Sequence, residues 1–456
     1  MKLTLDDLKQ STQGIWLYPP NSPSLDIQKY SSDSRQDCQN ALFFAFSGDN
    51  FNAHDHLEKV LEQKPLALVV SEERECLKTA QFPVLLVPDV IAAYQQVATT
   101  LMAAHPSVSI ALTGSSGKTS LKSVISQSLE SFFPGHVLST TDNTNNHIGV
   151  PQNIFRLKED DYFSVLELGT NNPGEISTIS AIAQPDIAIL NNVGYSHIGQ
   201  FEDYSALLKE KLSIFDHLQE DSVIIILDEL YPCLSETLKE KYQIITYGFG
   251  PQADIRVEYL KGDLKGSQFK LHWQNFKYSI NVTSTLCGEH QALNCGAMAA
   301  LAQILDLDLD EFAASLKNIQ LPGFRMKVEE IKDTTWVNDA YNANPQSSEA
   351  AVKWFAEVCK SDKPKRAYAI LGDMLELGDQ SDELHRELLD YANSFNNEFT
   401  TITVGQHFVD RPENHYAKVE DLIQDFLPEI APGDLVLIKA SRGMQLEQVI
   451  KKFKEQ

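Results

Sequence analysis

Gly114-Ser115-Ser116-Gly117-Lys118-Thr119 lies between an apolar stretch, residues 109–113, and a helix-forming stretch, residues 118–129, and its reading decides the fold. Glycines at 114 and 117 leave room for backbone N–H groups to approach phosphate oxygens. A helix opening at Lys118 adds the positive end of its dipole to that cradle. In such a loop the lysine ammonium sits over the β- and γ-phosphates, and the threonine hydroxyl faces Mg²⁺. The usual phosphate loop has about four residues between its glycines, whereas here only Ser115 and Ser116 intervene. Spacing alone therefore leaves a plain turn before a helix open. The strand and helix around it favour nucleotide binding.

Working outward, the same strand–loop–helix alternation continues. Residues 163–168, 187–190 and 223–227 read as further buried strands, and 255–282 as period-two hairpins at the sheet margin. A helix is expected over 291–305. Upstream, residues 41–46, 66–70 and 84–87 read as strands, and a helix over 90–104 stops at His105-Pro106. Downstream of Pro322-Gly323, strands at 335–337, 367–371, 401–404 and 435–438 alternate with helices. The expected architecture is α/β in three domains. Residues 1–105 form a small α/β unit, 106–321 a phosphate-loop ATPase-type unit with a mostly parallel sheet, and 322–456 a Rossmann-like unit.

Composition sets the class of partner. A chain of 456 residues suits about three domains. Its net charge of −25 disfavours nucleic acid and anionic membrane surfaces, which are bound by lysine and arginine. The six cysteines show no ligand-like spacing and read as reduced thiols. MKLTLDDLKQ lacks the basic and apolar regions of a signal peptide, and no apolar run is long enough to span a bilayer. A cytoplasmic protein without membrane insertion, and a monomer, is expected.

Thr113 to Thr119 reads T-G-S-S-G-K-T, and with it the chain resembles the Mur ligases. The resemblance runs on through Asn143-Thr144-Asn145-Asn146-His147-Ile148-Gly149-Val150-Pro151, Glu167-Leu168-Gly169 and Pro173-Gly174-Glu175-Ile176. Asp339-Ala340-Tyr341-Asn342-Ala343-Asn344-Pro345, the run from Leu371 to Gly378 (LGDMLELG) and Lys439-Ala440-Ser441-Arg442 complete it. Within the family these segments are most similar to the activity that joins D-alanyl-D-alanine to UDP-N-acetylmuramoyl-tripeptide. What the resemblance implies is an ATP-dependent acid–amino-acid ligase working through an acyl phosphate. Its product would be the pentapeptide precursor of peptidoglycan, and so serve cell-wall biogenesis, shape and division. Ligases adding another amino acid, or glutamate to folate, share the build, as would a nucleotide-binding relative without catalysis.

The resemblance also assigns roles. Gly114, Ser115, Ser116, Gly117, Lys118, Thr119 and Ser120 would hold ATP. Thr119 and Glu167 would face Mg²⁺, and His197 a second ion. Lys211, selected over Lys209 by its place four residues before Phe215, would be carbamylated. Asn294, with His290 in Gly288-Glu289-His290, would meet the adenine end. Arg325 would reach the γ-phosphate, although Phe324 intrudes on the usual G-R. Asp339, Asn342 and Asn344 would hold the nucleotide, with Asn338 standing where an acid is common. Lys118, His197, Lys211 and Arg325 form the expected catalytic set. Ser34 and Arg35 beside Asp33, Gly48 with His54, and Asn143 and Asn146 would take the UDP-precursor; Ser441 and Arg442 would lie on the acceptor side. Residue type alone leaves plainer readings open: a solvated strand end for Glu167, an ordinary polar loop residue for His197, a solvated helix lysine for Lys211, and turn or capping duties for His290, Asn342 and Asn344. Closure is expected by movement of the third domain at the Pro322-Gly323 joint.

Overall fold

The computed structural model describes residues 3–48, 51–196, 198–408 and 413–455. Among them, three α/β layers follow one another along the chain. The first sheet has the order Ile15–Tyr18, Val84–Leu86, Ala67–Val70, Leu42–Phe44, Tyr30–Ser31, parallel except for the outermost Ile15–Tyr18. Ala45 and Phe46, expected in a strand, leave this sheet because the chain turns there into the Ser47–Gly48 and Phe51–Asn52 hairpin. The helix Val90–Ala104 matches its expected span, capped by Asp89, whose carboxylate accepts from Ile91 and Ala92.

The second sheet carries nine strands. Val137–Ser139, Phe163–Glu167, Val108–Thr113, Ile187–Leu190, Val223–Leu227, Gln243–Gly248 and the start of Ile255–Asp263 run parallel, and two antiparallel strands, Gly266–Trp273 and Tyr278–Ser284, finish it. Parallel strands are covered on both faces, which is why Val223–Leu227 reads as an unbroken apolar run. Two consequences matter for the site. The phosphate loop leaves the strand Val108–Thr113, and its neighbours on either side end at Glu167 and Leu190. Both deliver polar residues to the carboxyl edge, where open α/β sheets bind ligands.

The third sheet orders Lys327–Ile331, Thr334–Asp339, Leu435–Lys439, Ala367–Gly372, Thr400–Val404, His415–Tyr416; only its first pair is antiparallel. Asp339, Lys439 and Gly372 thus share one edge. No strand ladder crosses 105–106 or 321–322 among the described residues. Between the first two layers, Tyr30 stacks on Phe155 with ring centres 4.1 Å apart, and the His105 ring contacts the Lys158 carbonyl at 2.9 Å and the Ser107 hydroxyl at 3.0 Å. No helix among the described residues is long and apolar enough to cross a membrane.

Candidate active site

The phosphate loop is held from behind by the loop that follows Ile187–Leu190. Ser115 N–H donates to the Asn192 carbonyl at 3.0 Å and Ser116 N–H to the Asn192 amide oxygen at 2.8 Å. The Ser115 hydroxyl donates to the Gly194 carbonyl and accepts from its N–H, each at 2.9 Å. Gly117 has φ +72°, a conformation glycine adopts without cost, and a Cβ at Gly114 would press on the Asn192 backbone at 3.2 Å. Lys118 folds onto the loop, donating to the Gly114 carbonyl at 2.8 Å. Desolvation lowers its pKa, with Arg325 adding to the shift and Glu167 opposing it. Ser120, the third residue of the helix Lys118–Phe132, is buried.

Asn294 sits beneath the same loop. Its amide oxygen accepts from Asn191 at 3.3 Å and its nitrogen donates to Gln291 at 2.9 Å, while Asn191 accepts from the Tyr247 hydroxyl at 2.7 Å. Asn191, Asn192, Tyr247 and Gln291 were not singled out from the sequence. Asn191, Asn192 and Tyr247 are brought in by strand order, so no local pattern marks them, whereas Gln291 lies one turn before Asn294 on the same helix.

Beside the loop, one Glu167 oxygen accepts from the Thr119 hydroxyl at 3.2 Å and from Asn145 at 2.9 Å. The other oxygen is buried with no hydrogen-bond partner. A buried carboxylate oxygen left bare is costly, and a cation would satisfy it. Among the described residues no group of three or more histidine, cysteine or acidic side chains converges. One carboxylate with a hydroxyl and substrate phosphates is the sparse ligand set that suits Mg²⁺. His197 lies outside the described residues.

Lys211 is only 1% exposed, and no hydrogen bond or ion pair engages its ammonium among the described residues. Desolvation drives its pKa well below the ordinary lysine value, and the charge on Lys118 lowers it further. Glu210 and Glu175 oppose that shift without cancelling it, so burial favours loss of the proton, and the neutral amine is the form that adds to CO₂. Its neighbour Glu210 points away, clamping the start of the helix Glu175–Ala183 through Gly174 N–H (2.6 Å) and Ile176 N–H (2.8 Å).

The third layer closes over this edge. Arg325 places its guanidinium 3.7 Å from the centre of the Tyr341 ring and donates to the Pro322 carbonyl at 2.6 Å. Phe324 turns toward Arg442, 5.8 Å from ring centre to guanidinium. Asn338, where the resemblance leads one to expect an acid, uses its amide oxygen to accept the Ala340 N–H. Asp339 is paired with Lys439 at 2.8 Å and accepts from Met326 N–H at 3.1 Å. Asn344 caps the helix Pro345–Asp362 through Ser347 N–H, and the Asn342 amide oxygen accepts from Ala343 N–H. These two asparagines spend their side-chain oxygens on their own backbone. Ser441 is buried and accepts from Leu375 N–H at 2.8 Å, while Arg442 stays half-open beside Glu447.

At the seam, Gly199 N–H donates to the Glu376 carbonyl at 3.2 Å, and a Cβ on Gly199 would meet Gly378 nitrogen at 2.8 Å. A cavity of about 240 Å³ opens nearby between His290, Leu293, Phe249 and the helix residues Lys353 and Trp354. Burial pushes the His290 imidazole down to about 4. In the first layer, Arg35 is bound twice to Asp33 at 2.8 Å and is otherwise exposed, holding that carboxyl near 2. Ser34 and Gly48 lie at this surface, but His54 is buried, bonded to Asn52 and to Ser71 N–H. Asn146 turns inward to Gly149 N–H, and Asn143 accepts from the Tyr341 hydroxyl.

Residues 112–303 match the model of the Mur ligase middle domain, and residues 324–442 that of the Mur ligase glutamate ligase domain. A UDP-N-acetylmuramoyl-tripeptide–D-alanyl-D-alanine ligase of Haemophilus influenzae is 31% identical across all of this chain and 99% of its own length. The chain belongs to the Mur ligase family. The Bacillus subtilis ligase of the same name is 29% identical over 99% of this chain and 98% of its own. A crystal structure of MurF from Acinetobacter baumannii superposes with a TM-score of 0.89 at 26% identity, covering 100% of this chain and 99% of that one. A MurF ligase from Thermotoga maritima, solved with ADP, shares the fold at a TM-score of 0.81 and 23% identity, covering 94% and 97%. As a Mur ligase this is an ATP-dependent ligase of α/β build in three domains.

Proposed function

We propose that the chain joins D-alanyl-D-alanine to UDP-N-acetylmuramoyl-tripeptide at the expense of ATP, in the cytoplasm. The observation that carries this reading is the meeting of three groups at one edge: the phosphate loop, the bare Glu167 oxygen and the buried Lys211 amine, close enough to feel the charge of Lys118. The full-length likeness to ligases of that name supports the substrate pair.

ATP lies along Gly114–Thr119, with Lys118 turning from the loop carbonyls to the β- and γ-phosphates. Its base occupies the cavity beside His290, with Asn294 steadying the loop from below. A tripeptide carboxylate oxygen attacks the γ-phosphorus, the bond to ADP breaks, and an acyl phosphate forms. Arg325 stabilises charge on the phosphoryl oxygens as this happens. The amine of D-alanyl-D-alanine then attacks the acyl carbon, loses a proton, and inorganic phosphate leaves. Thr119, Glu167, His197 and carbamylated Lys211 would hold two Mg²⁺ ions, which supply charge neutralisation when bound. Ser34, Arg35 and Gly48 face the UDP moiety, and Ser441 and Arg442 the acceptor. Residues 1–105, 106–321 and 322–456 act as the precursor, ATP and acceptor domains of a monomer.

The test is ADP and phosphate release from ATP with precursor and a panel of amines. Turnover should require both UDP-N-acetylmuramoyl-tripeptide and D-alanyl-D-alanine. Release with neither, or turnover with glutamate or a single alanine in place of the dipeptide, would overturn the assignment.

A further inference from the structure

Among the described residues no carboxylate pairs with Arg325; it lies on an aromatic face. The guanidinium is 3.7 Å from the centre of the Tyr341 ring, and Tyr341 N–H donates to the Phe324 carbonyl at 3.2 Å. The linker wraps the pair closely: Gly323 has φ +71°, and a Cβ there would lie 3.3 Å from the Tyr341 ring and 3.5 Å from the Arg325 guanidinium. On its far edge the Tyr341 hydroxyl donates to the side-chain oxygen of Asn143, in the central domain. Two residues along that loop, Asn145 donates to Glu167 at 2.9 Å.

We propose that Tyr341 is a positioning residue for phosphoryl transfer: its ring aims Arg325 at the phosphate loop, and its hydroxyl makes that aim conditional on the third domain being seated. The inference rests on the reading above, in which Arg325 meets the γ-phosphate. A carboxylate partner would have neutralised the guanidinium that the transferring phosphoryl group needs, whereas an aromatic face orients it and leaves its charge available, together with the N–H donors not spent on the Pro322 carbonyl. The hydroxyl finds Asn143 only when the two domains are in contact. An open enzyme therefore loses the anchor on the ring that carries the arginine, and cleaves ATP poorly before the acyl phosphate is sheltered from water.

The experiment follows single-turnover ADP formation from ATP and UDP-N-acetylmuramoyl-tripeptide in Tyr341→Phe, Tyr341→Leu, Arg325→Lys and the Tyr341→Leu/Arg325→Lys double variant. Tyr341→Phe keeps the ring and should slow the step by about three- to tenfold, the weight of one hydrogen bond. Tyr341→Leu should slow it about thirtyfold. KM for ATP and for the precursor should stay within about twofold in both, a split that a merely structural role would not produce. The double variant should be no slower than Arg325→Lys, because the ring acts through the arginine. Should Tyr341→Leu fail to fold, Tyr341→Phe decides alone, and an unchanged rate in it overturns the inference. Parent-like rates in the Tyr341 variants beside a slowed Arg325→Lys, or multiplicative losses in the double, would overturn the inference and leave the role of Arg325 standing. A parent-like Arg325→Lys would remove the reading beneath it and the inference together.

Discussion

Around the phosphate loop most polar side chains are buried and already engaged, while the Ser34–Arg35 patch of the first domain lies open, with Arg35 bonded only to its neighbour Asp33 among the described residues. Under the proposed function, the difference follows from what each region would do. Transfer of a phosphoryl group gains from donors fixed in advance in a dry setting, where no reorganisation is needed at the moment of reaction. Recognition of a large soluble precursor needs only that partners be exchanged on arrival, and an exposed arginine does that readily. Glu167 and Lys211 carry the burden of the first strategy, one with a bare oxygen and the other with a desolvated amine. Such groups weaken the fold where they strengthen the chemistry.

The comparison breaks most decisively at those two residues. Glu167→Gln and Lys211→Met should each lower kcat by about a hundred- to a thousandfold, read from steady-state phosphate release. Lys211→Met should also melt at or above the parent temperature, since it removes a buried ammonium that desolvation disfavours; a drop in Tm would show that Lys211 is paired in the folded enzyme. A smaller effect is expected on the open side. Arg35→Ala should raise KM for the precursor about tenfold with kcat unchanged, and a fall in kcat would mean that the patch shares in the chemistry.

The mildest test concerns pH. His290 is held near 4, against an ordinary 6.5. Between those values the unfolded chain binds more protons than the folded one, so stability rises with pH through this window and is lost on acidification. Melting curves of His290→Gln should show a shallower fall in Tm from pH 6.5 to 4 than the parent. An identical fall would place the loss elsewhere.

How far the molecule was legible from its sequence tracks the range over which each feature is encoded. The phosphate loop, the helix Val90–Ala104 and the strand ending at Glu167 are local patterns, and all three stand where they were expected. The backing of the loop by Asn191, Asn192 and Tyr247 depends on which strands neighbour Val108–Thr113, and strand order is not written in any short segment. Asn344 carries turn and cap chemistry as well as a family likeness, and its side chain is found capping a helix. His54, expected at the precursor surface, is instead buried on Asn52 and Ser71. The unusual Phe324 had left the register of Arg325 open; the stack on Tyr341 gives that register a physical anchor.

The contact of Gly199 with Gly378 makes the seam between the second and third domains a gauge of thickness. Backbone meets backbone there, with a hydrogen bond from Gly199 to Glu376 beside it, so the gap admits nothing as thick as a methyl group. Most domain interfaces absorb small insults by shifting a side chain. At this point of the seam there is no side chain to shift, and a single added carbon would press backbone against backbone. A flat molecule lodged in that crevice would need little affinity for either wall to keep the jaws open.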